Sequence, residues 1–333
     1  MKANSYDVIT IGSGVIDHYV KSSHFELTSR HGLHGGQETC FEMGAKVTCD
    51  DLVMDTGGGA TNAAVTFANL GMKTSAIFRT GSDLFASIVT DALHATHVDT
   101  SFAQHDKKLK TGQSIILLAG TGHRSIITYR GAAAELDARE IPWAKLNAEW
   151  FYVTSLAGNT GLVRLLLDRA EAIGAKVAWN PGMAELEKGL SSLKPLLRRV
   201  DILDVNREEA ALLTDESPRH LKRIVQKLGN LPRIALLLSD GNRGAYLHSR
   251  GCTWYAPPLP ARRVNTTGAG DALGSGFVAG FSRTCDLVMG LKLGMLNSLG
   301  VITHMGAKRG ILSAWPHDRE FSRVKIRPAK LSD

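Results

Sequence analysis

From residue 150 onward the chain alternates short β-branched runs with longer amphipathic ones, and this alternation narrows the fold more than any other feature. It reads as a strand at 150–154, a helix at 161–173 and strands at 176–179 and 202–205. A helix at 207–213, another at 218–228 and a strand at 233–239 follow. Parallel strands need long crossovers, which lay helices on both faces of the sheet. The pattern predicts an α/β fold of three layers, α/β/α, around a mainly parallel central sheet. A run at 6–11 alternates, turns β-branched and enters Gly12-Ser13-Gly14, which makes it the opening strand. Ligands in such sheets bind beyond the carboxyl ends of the strands, so a site is expected there.

Two stretches interrupt the alternation. Residues 18–56 are rich in glycine, histidine and charge, and 101–130 contains hairpin-like pieces at 111–118 and 125–129. Loops this long in a compact domain are usually functional or hold structure of their own. Both are expected to form a small β-sheet lid over the strand ends. With 333 residues and 44% hydrophobic side chains the chain can bury a large core. It is read as a single domain over 1–333, with the lid at about 18–56 and 101–130.

The longest apolar runs are too short to cross a bilayer, and no targeting segment is visible. Cys40, Cys49, Cys252 and Cys285 show no CxxC spacing, so a reducing cytoplasm is expected and no membrane partner. The formal charge is +7, although residues 1–100 carry 6 Lys/Arg against 11 Asp/Glu. The basic residues are scattered without an aromatic-interleaved stripe, which argues against nucleic acid. The positive excess would suit a polyphosphate ligand.

Two glycine-rich segments carry the chemistry. In Asn265-Thr266-Thr267-Gly268-Ala269-Gly270-Asp271 a turn opens a helix of small and apolar residues. N–H groups near Gly268, Ala269 and Gly270 would be free at that helix start and, with the helix dipole, would form an anion hole. Asp271 lies in the first turn, where a carboxylate can take a proton from a hydroxyl held beside the same anion. An aspartate there can also simply complement the dipole, but the flanking glycines favour the chemical role. In Gly57-Gly58-Gly59-Ala60-Thr61-Asn62 the glycines let a ligand approach the backbone, and Asn62 can either bond ligand hydroxyls or cap its own helix.

Together these motifs resemble the PfkB, or ribokinase-like, family of carbohydrate and nucleoside kinases over nearly the whole chain. Thr267-Gly268-Ala269-Gly270-Asp271 is similar to that family's specific signature, and Gly57 to Asn62 to its amino-terminal one, followed by Gly81-Ser82-Asp83. The resemblance implies a kinase that transfers the γ-phosphate of ATP to a hydroxyl, with Asp271 as general base. It implies that Asp17, at the end of the first strand, holds substrate hydroxyls together with Gly57, Gly58 and Asn62. Asn206-Arg207-Glu208-Glu209 resembles the Asn-x-x-Glu element, implying Asn206 near the nucleotide phosphates and Glu209 organising Mg²⁺ through water. Ser239-Asp240-Gly241 resembles the Thr-x-Gly turn that lies against the nucleotide, with Gly268 and Gly270 beside it. Adenine contacts would come from about 295–306. No GxxxxGK[ST] occurs, so the anion-hole helix and Mg²⁺ would replace a P-loop.

Departures from the family pattern shape the expectation. Asn265 stands where most members carry an aspartate that in many helps hold a monovalent cation, which puts K⁺ activation in doubt. The strand end Val153-Thr154-Ser155-Leu156 lacks the glutamate of ribokinases proper, which weakens ribose as acceptor. Tyr129-Arg130 would bring a guanidinium near an acidic or phosphorylated sugar. Phe25, Phe41 and Phe102 would offer stacking surface to a nucleoside, the alternative acceptor. Relatives often dimerise through the lid, so a homodimer is a further expectation.

Three other readings are weaker. Gly12-Ser13-Gly14 begins like a dinucleotide fingerprint, but Asp17 occupies the third glycine position and would repel a pyrophosphate. His31, His34, Cys40 and Cys49 match no common zinc spacing. A non-catalytic binding protein on a kinase scaffold should have lost the base, the glycines or the metal element, and none is lost. The apolar segment 287–302 is expected as a core helix.

Overall fold

The computed structural model describes residues 5–29, 37–40, 42–118 and 124–331. Among them nine strands form the central sheet, in the order Arg327–Pro328, Cys252–Ala256, Ala245–Ser249, Ala235–Ser239, Ile202–Asn206, Lys176–Trp179, Ala148–Val153, Tyr6–Ile11 and Thr74–Ile77. The strands from Ala235–Ser239 to Thr74–Ile77 are parallel, and the three at the opposite edge are antiparallel.

The alternation of strand side chains builds the three layers. Ile9, Ile11, Phe151, Val153, Val177 and Trp179 point to one face and pack with helices Thr160–Ile173, Arg207–Thr214 and Leu221–Leu228. Val8, Trp150, Tyr152 and Ala178 point to the other, into a core shared with helices Gly59–Asn69, Ala269–Thr284 and Leu287–Ile302. The last of these is the core helix expected at 287–302. Helix boundaries follow local chemistry. Thr160–Ile173 starts at Asn159, whose side chain accepts from the Leu162 N–H. The helix expected from 218 begins only at Leu221, because the residues around Pro218 form a turn in which the His220 N–H donates to the Ser217 carbonyl.

A second sheet crosses the carboxyl ends of the first. Its strands run in the order Arg124–Tyr129, Gly112–Leu118, Val15–Lys21 and Asp51–Gly57. It therefore begins three residues earlier than the expected segment 18–56. Asp17 lies within it rather than at the end of the first strand, which closes at Ile11. The chain turns between them at Gly12 and enters another strand, not a helix, so the dinucleotide-fold reading has no helix start to use. Register then sets the faces. Thr128 pairs with Ser114, Ser114 with Asp17 and Asp17 with Asp55, a polar row on one face. The neighbouring row, Ile127, Ile115, His18 and Met54, points the opposite way.

Helices Ala269–Thr284 and Leu287–Ile302 pack closely because glycines face each other. A methyl group on Gly294 would lie 2.5 Å from the Leu273 carbonyl oxygen, and one on Gly276 would lie 2.9 Å from the Gly294 Cα. Gly294→Ala is expected to push the two helices apart and to lower stability by about 1–3 kcal/mol, read as a reduced urea midpoint with an unchanged slope.

Candidate active site

The turn at 265–271 is built from glycine geometry. Gly268 has φ +79° and caps helix Ala269–Thr284 with no side-chain bond of its own. A side chain there would also collide with Ala307, at 2.7 Å. Among the described residues the N–H groups of Gly268, Gly270 and Asp271 have no intramolecular acceptor. Ala269, expected as the third donor, instead closes the turn through a 3.3 Å bond to the Thr266 carbonyl. Asp271 thus takes the place of Ala269 in the free set, supplying its own N–H.

Two cavities meet at this turn. One, of about 260 Å³, is lined by Asp17, Gly58, Asn62, Ser114, Thr128 and Arg130, and by Thr267, Gly268 and Asp271. The other, of about 430 Å³, is lined by Asn206, Ser239, Gly241, Thr266, Ala269 and Gly270, and by Met295, Ser298, Leu299 and Ile302. Most of the predicted residues therefore divide into two groups on either side of one helix start, and Gly57 and Glu209 line neither cavity.

In the first cavity Asp17 is 4% exposed and presses on Gly57, where a methyl group would sit 2.1 Å from its carboxylate. Burial pushes the Asp17 carboxyl above its usual range, against the pull of the Ser114 hydroxyl and the Lys308 ammonium. Gly58 has φ +100° and runs against the Ser13 carbonyl, a path closed to other residues. Asn62 does not cap its helix. Its Nδ2 donates to Asp271 Oδ2 at 2.8 Å. The Asp271 carboxyl is surrounded by protein, and burial pushes it up while Asn62 and Lys308 hold it down.

In the second cavity Asn206 and Glu209 form a reciprocal cap on helix Arg207–Thr214. Asn206 Oδ1 accepts from the Glu209 N–H, and Glu209 Oε2 accepts from the Asn206 N–H, both at 2.8 Å. Glu208 rather than Glu209 lines the cavity itself. Burial, then the Asp271 and Glu208 charges, push the Glu209 carboxyl up. Among the described residues no three His, Cys, Asp or Glu side chains converge as a metal cage. A hard cation held mainly by water and phosphate oxygens fits this donor set, because it would offset carboxylates that repel one another. The turn after Ser239 is locked by Asp240, which pairs at 2.6 Å with both Arg207 and Arg243.

A monovalent cation fits less well. Asn265 is buried, and its Oδ1 already accepts from the N–H and hydroxyl of Thr267 at 3.1 Å each. Its Nδ2 is buried on the side of the Tyr19 hydroxyl, a donor where a cation needs an oxygen.

Sequence reasoning missed Lys308, which follows the core helix in a loop with no periodic pattern. Its ammonium donates to Thr61 Oγ1 at 2.9 Å and to Asn62 Oδ1 at 2.8 Å. Lys308 is half-buried, and burial draws its ammonium down to about 8 despite Asp17, Asp55 and Asp271. Asp55, opposite Asp17, and Asp204, fully enclosed beneath Gly274, were missed as well. Only the adjacent Gly306-Ala307 hinted that the Lys308 loop makes a close approach. Of the residues proposed to stack a nucleoside, Phe102 packs edge-on against Tyr6 at 5.9 Å, and Phe25 is buried outside the first cavity. Phe41, His31 and His34 lie outside the described residues. Cys40 and Cys49 are exposed, and neither is in a disulfide.

The fold and this paired-cavity site define an α/β phosphotransferase architecture, and sequence comparison gives the family. A model of the pfkB family of carbohydrate kinases matches residues 33–314, and the chain belongs to that family, whose members are phosphotransferases with an alcohol acceptor. It is 26% identical over 284 residues to probable fructokinase-7 of Arabidopsis thaliana, covering 78% of this chain and 80% of that one. Among solved structures, adenosine kinase from Sinorhizobium meliloti superposes with a TM-score of 0.76 at 21% identity, over 93% of this chain and 97% of that one. A ribokinase of Arabidopsis thaliana complexed with ribose and ATP superposes at 0.72 and 19% identity, over 96% and 98%. These structural likenesses establish a shared ribokinase-like fold.

The reciprocal cap makes a prediction about stability alone. Asn206→Ala leaves the Glu209 N–H without its acceptor and is expected to cost about 1 kcal/mol, read by thermal denaturation.

Proposed function

We propose that this protein transfers the γ-phosphate of ATP to a hydroxyl of a sugar or sugar derivative. The reading rests on one observation: a helix start with unpartnered N–H groups stands between two cavities, with Asp271 on the acceptor side. ATP occupies the larger cavity, its base against Met295, Leu299 and Ile302 and its phosphates toward Asn206, Ser239 and Gly241. The acceptor lies in the smaller one, its hydroxyls held by Asp17, Asn62 and the backbone at Gly57 and Gly58.

Phosphoryl transfer asks the protein for alignment, charge stabilisation and a proton acceptor. The turn supplies alignment, since both cavities open on it. The N–H groups of Gly268 and Gly270, with the helix dipole, stabilise the charge on the transferring group. Asp271 takes the proton from the attacking hydroxyl. Mg²⁺, organised through water by Glu209, would neutralise phosphate charge when bound. The second sheet, with strands drawn from residues 15–57 and 112–129, acts as the lid of a single domain that excludes water from the acceptor.

A sugar is favoured over a nucleoside because Ser13, Ser114, Thr128 and Ser155 line the acceptor cavity and, among the described residues, no aromatic ring does. Arg130 lines the same cavity and reaches the acceptor. Leu52 and Ile127, 65% and 58% exposed on the outer face of the second sheet, form the contact for a second copy of the chain.

ADP release from Mg-ATP, measured over pentoses, hexoses, sugar acids and nucleosides, should reveal one preferred sugar acceptor. Asp271→Asn should lower its kcat by about 10²–10⁴-fold with ATP affinity retained; an undiminished variant would sink the assignment. Burial raises the Asp271 carboxyl, so the base stays protonated to a higher pH than an ordinary aspartate. The acid limb of kcat/KM should therefore lie above the usual value of about 3.9. Exchange of K⁺ for Na⁺ should leave the rate unchanged, and a strong K⁺ requirement would refute the argument from Asn265.

A further inference from the structure

Three carboxylates lie close together beside the acceptor cavity, two of them, Asp17 and Asp271, lining it. Asp17 and Asp55 are directly opposed across two strands, and like charges in that position are destabilising. Asp271 reaches toward them from the third element, helix Ala269–Thr284. The loop after helix Leu287–Ile302 brings two consecutive cations to this group. Arg309 pairs with Asp55 at 3.4 Å near the surface, and Lys308 continues inward between Thr61 and Asn62. Gly306 permits the entry, since a methyl group there would sit 2.4 Å from the Asp55 carboxylate.

The hydrogen-bond directions matter as much as the charge. An ammonium has donors and no acceptor, so Asn62 must turn its oxygen to Lys308. Its Nδ2 is then forced toward Asp271 Oδ2, the 2.8 Å bond observed. Lys308 also donates to Thr61 Oγ1, whose hydroxyl in turn donates to the Gly57 carbonyl at 2.7 Å. One ammonium thus fixes the amide facing Asp271 and the loop facing Asp17.

We propose that Lys308 is a positioning residue for the reaction: it sets the orientation of Asn62 and supplies the internal positive charge that keeps Asp271 ionised as the base. The inference rests on the kinase reading for its effect on turnover, but its electrostatic part can be measured without any acceptor. The groups facing Lys308 are Asp17, Asp55 and Asp271, with Arg309 beside it. Asp204 and Glu209 lie near enough for the Asp271 charge to push their carboxyls up.

The test compares wild type, Lys308→Met and Lys308→Arg, with melting temperature as the fold control. ¹³C-carboxyl titration, with Asp271→Asn assigning the resonance, should place the Asp271 carboxyl ~1 pH unit or more higher in Lys308→Met. Lys308→Arg should keep it near its wild-type position. With D-ribose, D-fructose, a 2-keto-3-deoxy sugar acid and adenosine as acceptors, kcat of the preferred one should fall on the order of 10²-fold in Lys308→Met. Because the Lys308 ammonium is drawn down to about 8, wild-type kcat should decline through that pH. The decline should be missing from Lys308→Met and shifted beyond pH 10 in Lys308→Arg. An Asp271 carboxyl that titrates identically in wild type and Lys308→Met would overturn the proposal, whatever the acceptor assay gives. A displaced Asp271 titration with no ADP release from wild type would uphold the electrostatic part of the proposal and count against the kinase reading instead.

Discussion

Asp271 is a carboxylate enclosed at the start of a helix, and the rest of the site is organised around holding its charge there. Burial alone pushes it toward the protonated form. Against burial stand the Asn62 amide at 2.8 Å and the Lys308 ammonium behind that amide. These residues come from near positions 60, 270 and 310, so the bond chain ties together three elements far apart in sequence. A second polar link runs parallel to it in the core. Asn297 Nδ2 donates to Thr66 Oγ1 and to the Ala272 carbonyl, and its Oδ1 accepts from the Leu312 N–H. Such buried polar bonds are costly when broken, so they specify how the two glycine-motif helices sit relative to each other. The two motifs read from the sequence are therefore one structural unit.

The arrangement carries an energetic burden. Asp17, Asp204, Glu209 and Asp271 all have carboxyls pushed above their usual range, and Lys308 has its ammonium pushed down. In each case burial is the largest cause, so each charged form is disfavoured in the folded chain. Groups perturbed this way gather where a protein trades stability for chemistry. The close packing of the two helices beneath the turn offers a compensating contribution, since glycines at 276, 280, 290 and 294 let the backbones approach and the apolar core close around Phe277.

Much of the fold was legible because it rests on local periodicity. The strands at 176–179 and 202–206 and the helices at 160–173 and 287–302 lie within a residue or two of their expected positions. The turn at 268–271 was legible because Gly268 holds a backbone that favours glycine and a carboxylate at a helix start is a recognisable chemical choice. Asp17 was identified but assigned to the wrong element, since Gly12 hides a chain reversal between two sheets. Ala269 was assigned a free N–H because the 3.3 Å turn bond to Thr266 depends on backbone geometry and leaves no mark on composition. Lys308 was invisible for a different reason. Its role arises from where a loop without periodicity enters the site, and a single lysine after a helix resembles any solvated one.

The second sheet shows how a two-residue period can serve two purposes at once. Thr128, Ser114 and Asp17, in one row with Asp55, line the smaller cavity, while the alternate row Ile127, Ile115, His18, Met54 faces away. Ile115, Ile127 and Met54 are exposed on that outer row. A register shift of one residue would exchange the rows, turning the carboxylates outward and the isoleucines toward the site. Register is therefore a functional constraint here, and Thr61 helps fix it by anchoring the Gly57 carbonyl at the end of the edge strand while it accepts from Lys308. The same ammonium that orients Asn62 thus helps hold the strand that brings Asp55 opposite Asp17. In this site, charge placement and strand register are set by one interaction.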